Sequence, residues 1–288
     1  MPLSRLRLGL SRWPVWWPLA IAVAVSVPLT VYWWSLITGG SVAFDWRIFV
    51  EGGERFWAGS PDLYEMNDLY SFRHSPLLAM VMPALALIGA LGIRLVTVGA
   101  ALAMPTWPMR LLTMASWPFA MDVQQGAFIT IIVLAAAWAL NGSRAASVAF
   151  IILTLLSPRP LMLPIAAFLL WQQPWLRIPS VALFVVHGLA VLATGYGDEW
   201  IELLLTSGTD GIEGPFNLSP SRFIGRLWLP FGVVLAVLLT WRGRPGLAAI
   251  AISPYLLPHY LLVLLLEIAP RVPRREPLRR VSLAPVRS

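Results

Sequence analysis

The stretch FDWRIFVEGGERFWAGSPDLYEMNDLYSFRHSPLLAMVMP, residues 44–83, decides how this chain is read. It is a polar interruption in a very apolar sequence and holds six of the fourteen acidic residues. In its first half, Trp46, Phe49, Val50, Gly53, Phe56 and Trp57 recur at helical spacing, while Arg47, Glu51, Glu54 and Arg55 fall on the other face. Gly59 and Pro61 supply the stop, a C-cap glycine followed by a proline. A short helix with an aromatic face and a charged face belongs at the boundary between lipid and headgroup. Asp45 stands at its start.

Outward from that stretch the composition is that of a membrane protein. The 288 residues are 58% hydrophobic and 12% charged, with 15 tryptophans. One integral membrane domain is expected over residues 1–270, followed by a polar, arginine-rich tail, 271–288, that is read as disordered. The chain has no cysteine, which excludes disulfides and thiolate metal sites. The net charge of +7 is read through its placement along the membrane segments, and no nucleic-acid partner is expected.

Arg5, Arg7 and Arg12 precede an apolar run from Trp13 to Thr38. A signal peptide, helped by the small residues Ser41, Val42 and Ala43, competes with a retained span. The run is longer than a signal core of roughly 7–15 residues, which favours the span. Its leading arginines put the N-terminus in the cytoplasm, and the first loop, residues 39–75, outside. Further apolar runs occupy 76–91, 92–106, 109–121, 127–140, 145–157, 160–171, 178–195, 228–241, 247–257 and 259–269. Several are shorter than the roughly 20 residues of a simple span, so half-helices or re-entrant pieces are expected, above all in the proline-broken 92–121. Arg94, Arg144, Arg177, Arg242 and Arg244 are read as cytoplasmic turns, and 196–226 as a second external loop. The result is an all-α polytopic protein of the inner or plasma membrane, with both termini cytoplasmic and about eight to ten crossings.

That topology brings the unusual polar residues to one face. They are Asp45 and His74 in the first loop, Asp122 and Gln125 before the run 127–140, and Arg159 between Pro158 and Pro160. Asn217, Ser219 and Arg222 close the second loop, and Ser253, His259 and Tyr260 lie between the last two runs. Ionisable groups at membrane depth are costly and mark sites. Each also has a plainer reading. Asp45 can cap its helix, Arg159 can snorkel to headgroups, His259 can pack between helices, and Gln125 can bridge them. His74, Arg73 and Arg222 can simply be interfacial. No Gly-rich phosphate loop, His-Glu-x-x-His or Gly-x-Ser-x-Gly occurs, no Asp-x-Asp pair offers a nucleotide-sugar metal site, and three scattered histidines make no metal cluster. Neither a metal nor a cofactor is expected. An acid, an arginine and a histidine at the outer face suit a lipid-phosphate donor.

These residues resemble glycosyltransferase family 87, of the GT-C superfamily. The likeness is carried by Phe44 and Asp45 ahead of an aromatic helix, Ala58 and Gly59, Pro61 to Tyr64, and Phe72, Arg73, His74, Ser75 and Pro76 leading to Pro83. Gln125, the Asn217-Leu218-Ser219 element, and Ser253-Pro254 followed by His259-Tyr260 recur in the family's order, so the likeness runs from about Asp45 to Leu266. The chain departs from the pattern with Gln124 in place of a glycine, Ser75 in place of a proline, His74 in place of an aromatic, and Arg159 in place of a lysine, and it is shorter than typical members.

The resemblance implies a GT-C-like bundle and an inverting transfer of a hexose, mannose by inheritance from the family, from a polyprenyl-phosphate-sugar donor. The acceptor implied is a glycolipid or lipid-linked glycan at the outer face. Asp45 is then the general base, with Arg159, His259 and Arg222 binding the donor phosphate. His74, Gln125, Asn217, Ser219 and Tyr260 line the site. Two readings from other classes stand beside it. One is a transporter or flippase for an isoprenoid phosphate lipid, and the other an inactive subunit of a cell-envelope assembly.

Overall fold

The computed structural model describes residues 44–64, 72–206 and 217–272, all within the unit Ser41–Ser288. The expected first span, its leading arginines, residues 207–216 of the expected second loop and the tail beyond residue 272 lie outside the described residues.

The described residues are helical, with no strand among them. Helix α1 covers Phe44–Trp57, and Gly59 follows it with φ 63°, the left-handed stop that its sequence calls for. Its apolar face is not left open to lipid as the sequence reading expects. Trp46 and Phe49 are buried in a core with Leu63, Tyr64, Phe72 and Leu78. The cause is Gly53. A Cβ there would stand 2.7 Å from the Met82 Cβ, so only glycine lets α1 press against the next helix. Trp57, at the far end, remains exposed and donates its indole N–H to the Met80 carbonyl at 3.0 Å.

Helices α2 (Pro76–Ala86) and α3 (Gly89–Leu102) meet at 105°, so the runs 76–91 and 92–106 are one bent pair. Ser75 caps α2 by accepting from Leu77 N–H at 3.3 Å, with Pro76 at the first helical position. Arg94 corrects the topology reading. It lies within α3 and is buried, so it marks no turn.

The proline-rich stretch breaks into α4 (Trp107–Met114) and α5 (Trp117–Gln125). Ser116 caps α5 through the Phe119 N–H, with proline in its first turn. Then follow α6 (Ile129–Leu140), α7 (Arg144–Leu156), α8 (Met162–Gln172) and α9 (Arg177–Ala193), close to the apolar runs. Helix α10 (Gly197–Thr206) stands inside what the sequence reads as an external loop. The short α11 (Ser221–Ile224) leads through a 3-10 turn to α12 (Trp228–Trp241), then α13 (Pro245–Ile252) and a final 3-10 helix, Pro258–Glu267.

Among the described residues two helical stretches are long and apolar enough to cross a membrane, Pro174–Ala193 and Ser221–Trp241, or three when the bent pair is counted as one span. Their outward faces carry Ile178, Phe184, Leu189, Phe231 and Val237, all largely exposed, a surface that lipid would cover. The other apolar helices, among them α6, α7 and α8, hold 10–17 residues. At 1.5 Å per residue they fall short of a hydrocarbon core about 30 Å thick, so helix length among the described residues gives fewer full spans than the sequence reading.

Candidate functional site

The site grows from the turn between α5 and α6. Gly126 ends α5 with φ 70°, and Phe128 follows with φ 65°. Among the described residues Phe128 is the one non-glycine residue in the left-handed region, a position that costs a bulky side chain about 1–3 kcal/mol. Asp122 holds it there. Its carboxylate is fully buried and accepts from Ile129 N–H at 3.1 Å, Thr130 N–H at 2.7 Å and the Thr130 hydroxyl at 2.6 Å. Those are the donors a helix N-terminus leaves unpaired, so one carboxylate caps α6 and shapes the turn before it.

The turn then reaches both ways. The Phe128 ring packs against Phe49 at 4.9 Å and edge-on to Trp46 at 5.8 Å, on the helix that carries Asp45. The Ala127 carbonyl accepts from both terminal nitrogens of Arg159, at 3.4 and 3.3 Å. Arg159 also lies over the Tyr260 ring, its Cζ 5.4 Å from the centroid. A guanidinium between a carbonyl and an aromatic face is held in orientation by these two contacts.

Asp45 lies in the first turn of α1, where a carboxylate complements the positive helix end. Burial pushes its carboxyl up to about 6, against the pull of Arg159 and with a further push from the Asp122 carboxylate. His74 comes from the loop before α2. Its Nδ1 hydrogen-bonds the Ser157 hydroxyl at 2.9 Å, its carbonyl accepts from the Tyr64 hydroxyl at 3.0 Å, and its ring lies 4.8 Å from Phe49. Burial, then the Arg159 and Arg73 guanidinia, holds its pKa well below the ordinary value. It enters the site as a neutral imidazole.

His259 is 2% exposed, and neither ring nitrogen finds a partner among the described residues. Its ring meets Tyr260 edge-on at 4.7 Å. A buried, unsatisfied imidazole beside an oriented arginine is the place where a polar ligand would repay the burial.

Asn217 and Ser219 build a wall. The Asn217 Oδ1 accepts from Ser219 N–H and Leu256 N–H, each at 2.9 Å, and its Nδ2 donates to the Pro254 carbonyl at 3.1 Å. Ser219 donates to the Ser253 carbonyl at 2.7 Å, and Ser221 to that of Pro254. Both residues therefore position the segment 253–256 ahead of His259 and Tyr260. Gln125, partly buried, ends α5 beside the turn.

Asp45, Arg159, His74 and Tyr260 thus come together around one turn, with His259 alongside Tyr260. Arg222 is exposed on α11. Arg73, from the loop before α2, acts together with Asp45 on the Tyr255 hydroxyl. The sequence reading passed over Tyr255, Ser157 and Phe128. Only Tyr255 carried a signal, through its place between the Ser253-Pro254 and His259-Tyr260 elements. Among the described residues no three His, Asp or Glu converge to hold a metal ion. Chemically, the cluster offers a partly desolvated carboxyl that can take a proton and an oriented cation that can face an anion.

No protein-family model, curated protein or solved structure matches the chain.

Proposed function

We propose that this chain is a membrane glycosyltransferase with a GT-C-like bundle, moving a hexose from a polyprenyl-phosphate-sugar to a glycolipid or lipid-linked glycan at the outer membrane face. The observation that supports this reading best is the turn at 127–128, whose Ala127 carbonyl holds the Arg159 guanidinium and whose Phe128 ring packs against Trp46, the residue after Asp45.

In the proposed reaction the ionised Asp45 removes the proton of an acceptor hydroxyl as its oxygen attacks the anomeric carbon. A new carbon–oxygen bond forms while the bond to the phosphate oxygen breaks, and the lipid phosphate leaves with the electron pair. Attack opposite the leaving group inverts the anomeric centre. Arg159 offsets the charge that grows on the phosphate. A carboxyl near 6 suits the task, being mostly ionised at neutral pH yet more basic than an exposed aspartate. His259 supplies a donor to a phosphate or sugar oxygen, and His74, neutral, lines the acceptor side. The sugar is taken as mannose from the family resemblance, and the exposed apolar faces of the long helices agree with a substrate that arrives in the bilayer.

The test is transfer in vesicles containing the purified chain, with labelled polyprenyl-phosphate-mannose in the outer leaflet. Label in the acceptor lipid, with the opposite anomeric configuration, is the expected result. Donor that crosses the bilayer with its sugar still attached would overturn the reading in favour of a transporter.

A further inference from the structure

We infer that Asp122 is a positioning residue that sets Arg159 and the Asp45 helix in register through the turn it clamps, a role that rests on the transfer reaction proposed above. The geometry runs in one chain. Asp122 takes three hydrogen bonds from Ile129 and Thr130, at 3.1, 2.7 and 2.6 Å. Between it and those donors lie Gly126, Ala127 and Phe128, two of them in left-handed backbone. The Ala127 carbonyl is the hydrogen-bond acceptor of the Arg159 guanidinium, and the Phe128 ring is wedged against Trp46 and Phe49. The base and the cation stand on separate elements, α1 and the loop after α7. This turn touches both.

A cap alone would need no such arrangement. Ser116 and Ser143 cap α5 and α7 with a single hydroxyl each, through Phe119 N–H and Ala146 N–H at 3.3 Å. At α6 the chain places a fully buried carboxylate instead, and uses it to hold a phenylalanine where L side chains rarely sit. Strain held by surrounding structure is found where position matters to function. Asp122 itself makes no contact with substrate. It acts through the turn.

The experiment compares Asp122→Asn and Thr130→Val with wild type at equal amounts of folded protein. Asn turns an N–H donor toward donors. Val removes only the hydroxyl bond, which keeps a folded comparison if Asn fails to fold. Two readouts are taken. The first is hydrogen exchange in peptides covering 126–130 and, separately, 46–52 of α1, against which the Phe128 ring packs. Faster exchange in both segments is expected. Faster exchange confined to 129–130, with 46–52 unchanged, would reduce Asp122 to a helix cap and overturn the inference, whether or not the protein transfers sugar. The second is steady-state transfer, where kcat/KM for the lipid donor should fall by ~10²-fold in Asp122→Asn while the acceptor KM holds. Loss of folded protein with both constants unchanged would also overturn it. If the wild type transfers nothing while the exchange result stands, it is the proposed reaction that fails.

Discussion

The Arg159 guanidinium lies 5.4 Å above the Tyr260 ring while both of its terminal nitrogens reach the Ala127 carbonyl. A lysine keeps the charge but has neither the planar fork nor the stacking face. Arg159→Lys is therefore expected to fold normally and to lose about 10²-fold in kcat with polyprenyl-phosphate-mannose. Steady-state kinetics in vesicles measure it. Unchanged kcat would show that only charge, and not orientation, is needed at this position.

Asp45 gives the reaction its pH dependence. Burial, with help from the Asp122 carboxylate, raises its pKa to about 6 in spite of Arg159. The base works as the carboxylate, so transfer should rise with pH through about 6 and fall away below it. A profile of kcat/KM over about pH 5 to 8 measures the acid limb. A flat profile over that range would mean that the Asp45 carboxyl is not raised from its ordinary value of 3.8.

Gly53 sets how closely α1 approaches α2. A methyl at this position would meet Met82 at 2.7 Å, with the Ala79 carbonyl at 3.2 Å. Gly53→Ala should destabilise the protein by about 1–3 kcal/mol. A thermal melt in detergent should show a lower Tm. An unchanged melt would mean that α1 can move away without cost.

Asn217 ties its turn to the segment before His259 with both ends of its amide. Asn217→Ala leaves the buried Leu256 N–H and Pro254 carbonyl with fewer partners, at about 1–3 kcal/mol. The melt should fall. Donor KM should rise as well, because Tyr260 and His259 lose their support. A lower melt with normal kinetics would separate this wall from the site.

Much of the helical layout is legible in the sequence, because apolar runs and their punctuation are local. The run 127–140 becomes Ile129–Leu140, 145–157 becomes Arg144–Leu156, and 228–241 is reproduced in full. Gly59 stops α1 in the conformation its position calls for. What escapes is set by packing. The charged first turn of Gly197–Thr206, with Asp198 and Glu199, made a helix read as loop. The face of Trp46 and Phe49 looked like a membrane surface because pattern alone does not say whether lipid or protein covers it. Arg94 looked like a turn marker because burial of an arginine within a helix leaves no local trace. The same holds for the site. Asp45, Arg159, His74 and Tyr260 stand at element ends that the sequence marks, and they converge around the turn at 127–128. Asp122 was noticed as polar, yet its reach through Ala127 and Phe128 is visible only in three dimensions.

The role of Asp45 as the base of a lipid-donor sugar transfer is tested most directly by one comparison. Membranes carrying wild type or Asp45→Asn, at matched protein level, are given labelled polyprenyl-phosphate-mannose. Asparagine keeps the shape of the side chain and removes its basicity. Transfer by wild type with loss of about 10³-fold or more in the variant is the expected result. Equal transfer by the two proteins would contradict it, and the site would have to be rebuilt around another base.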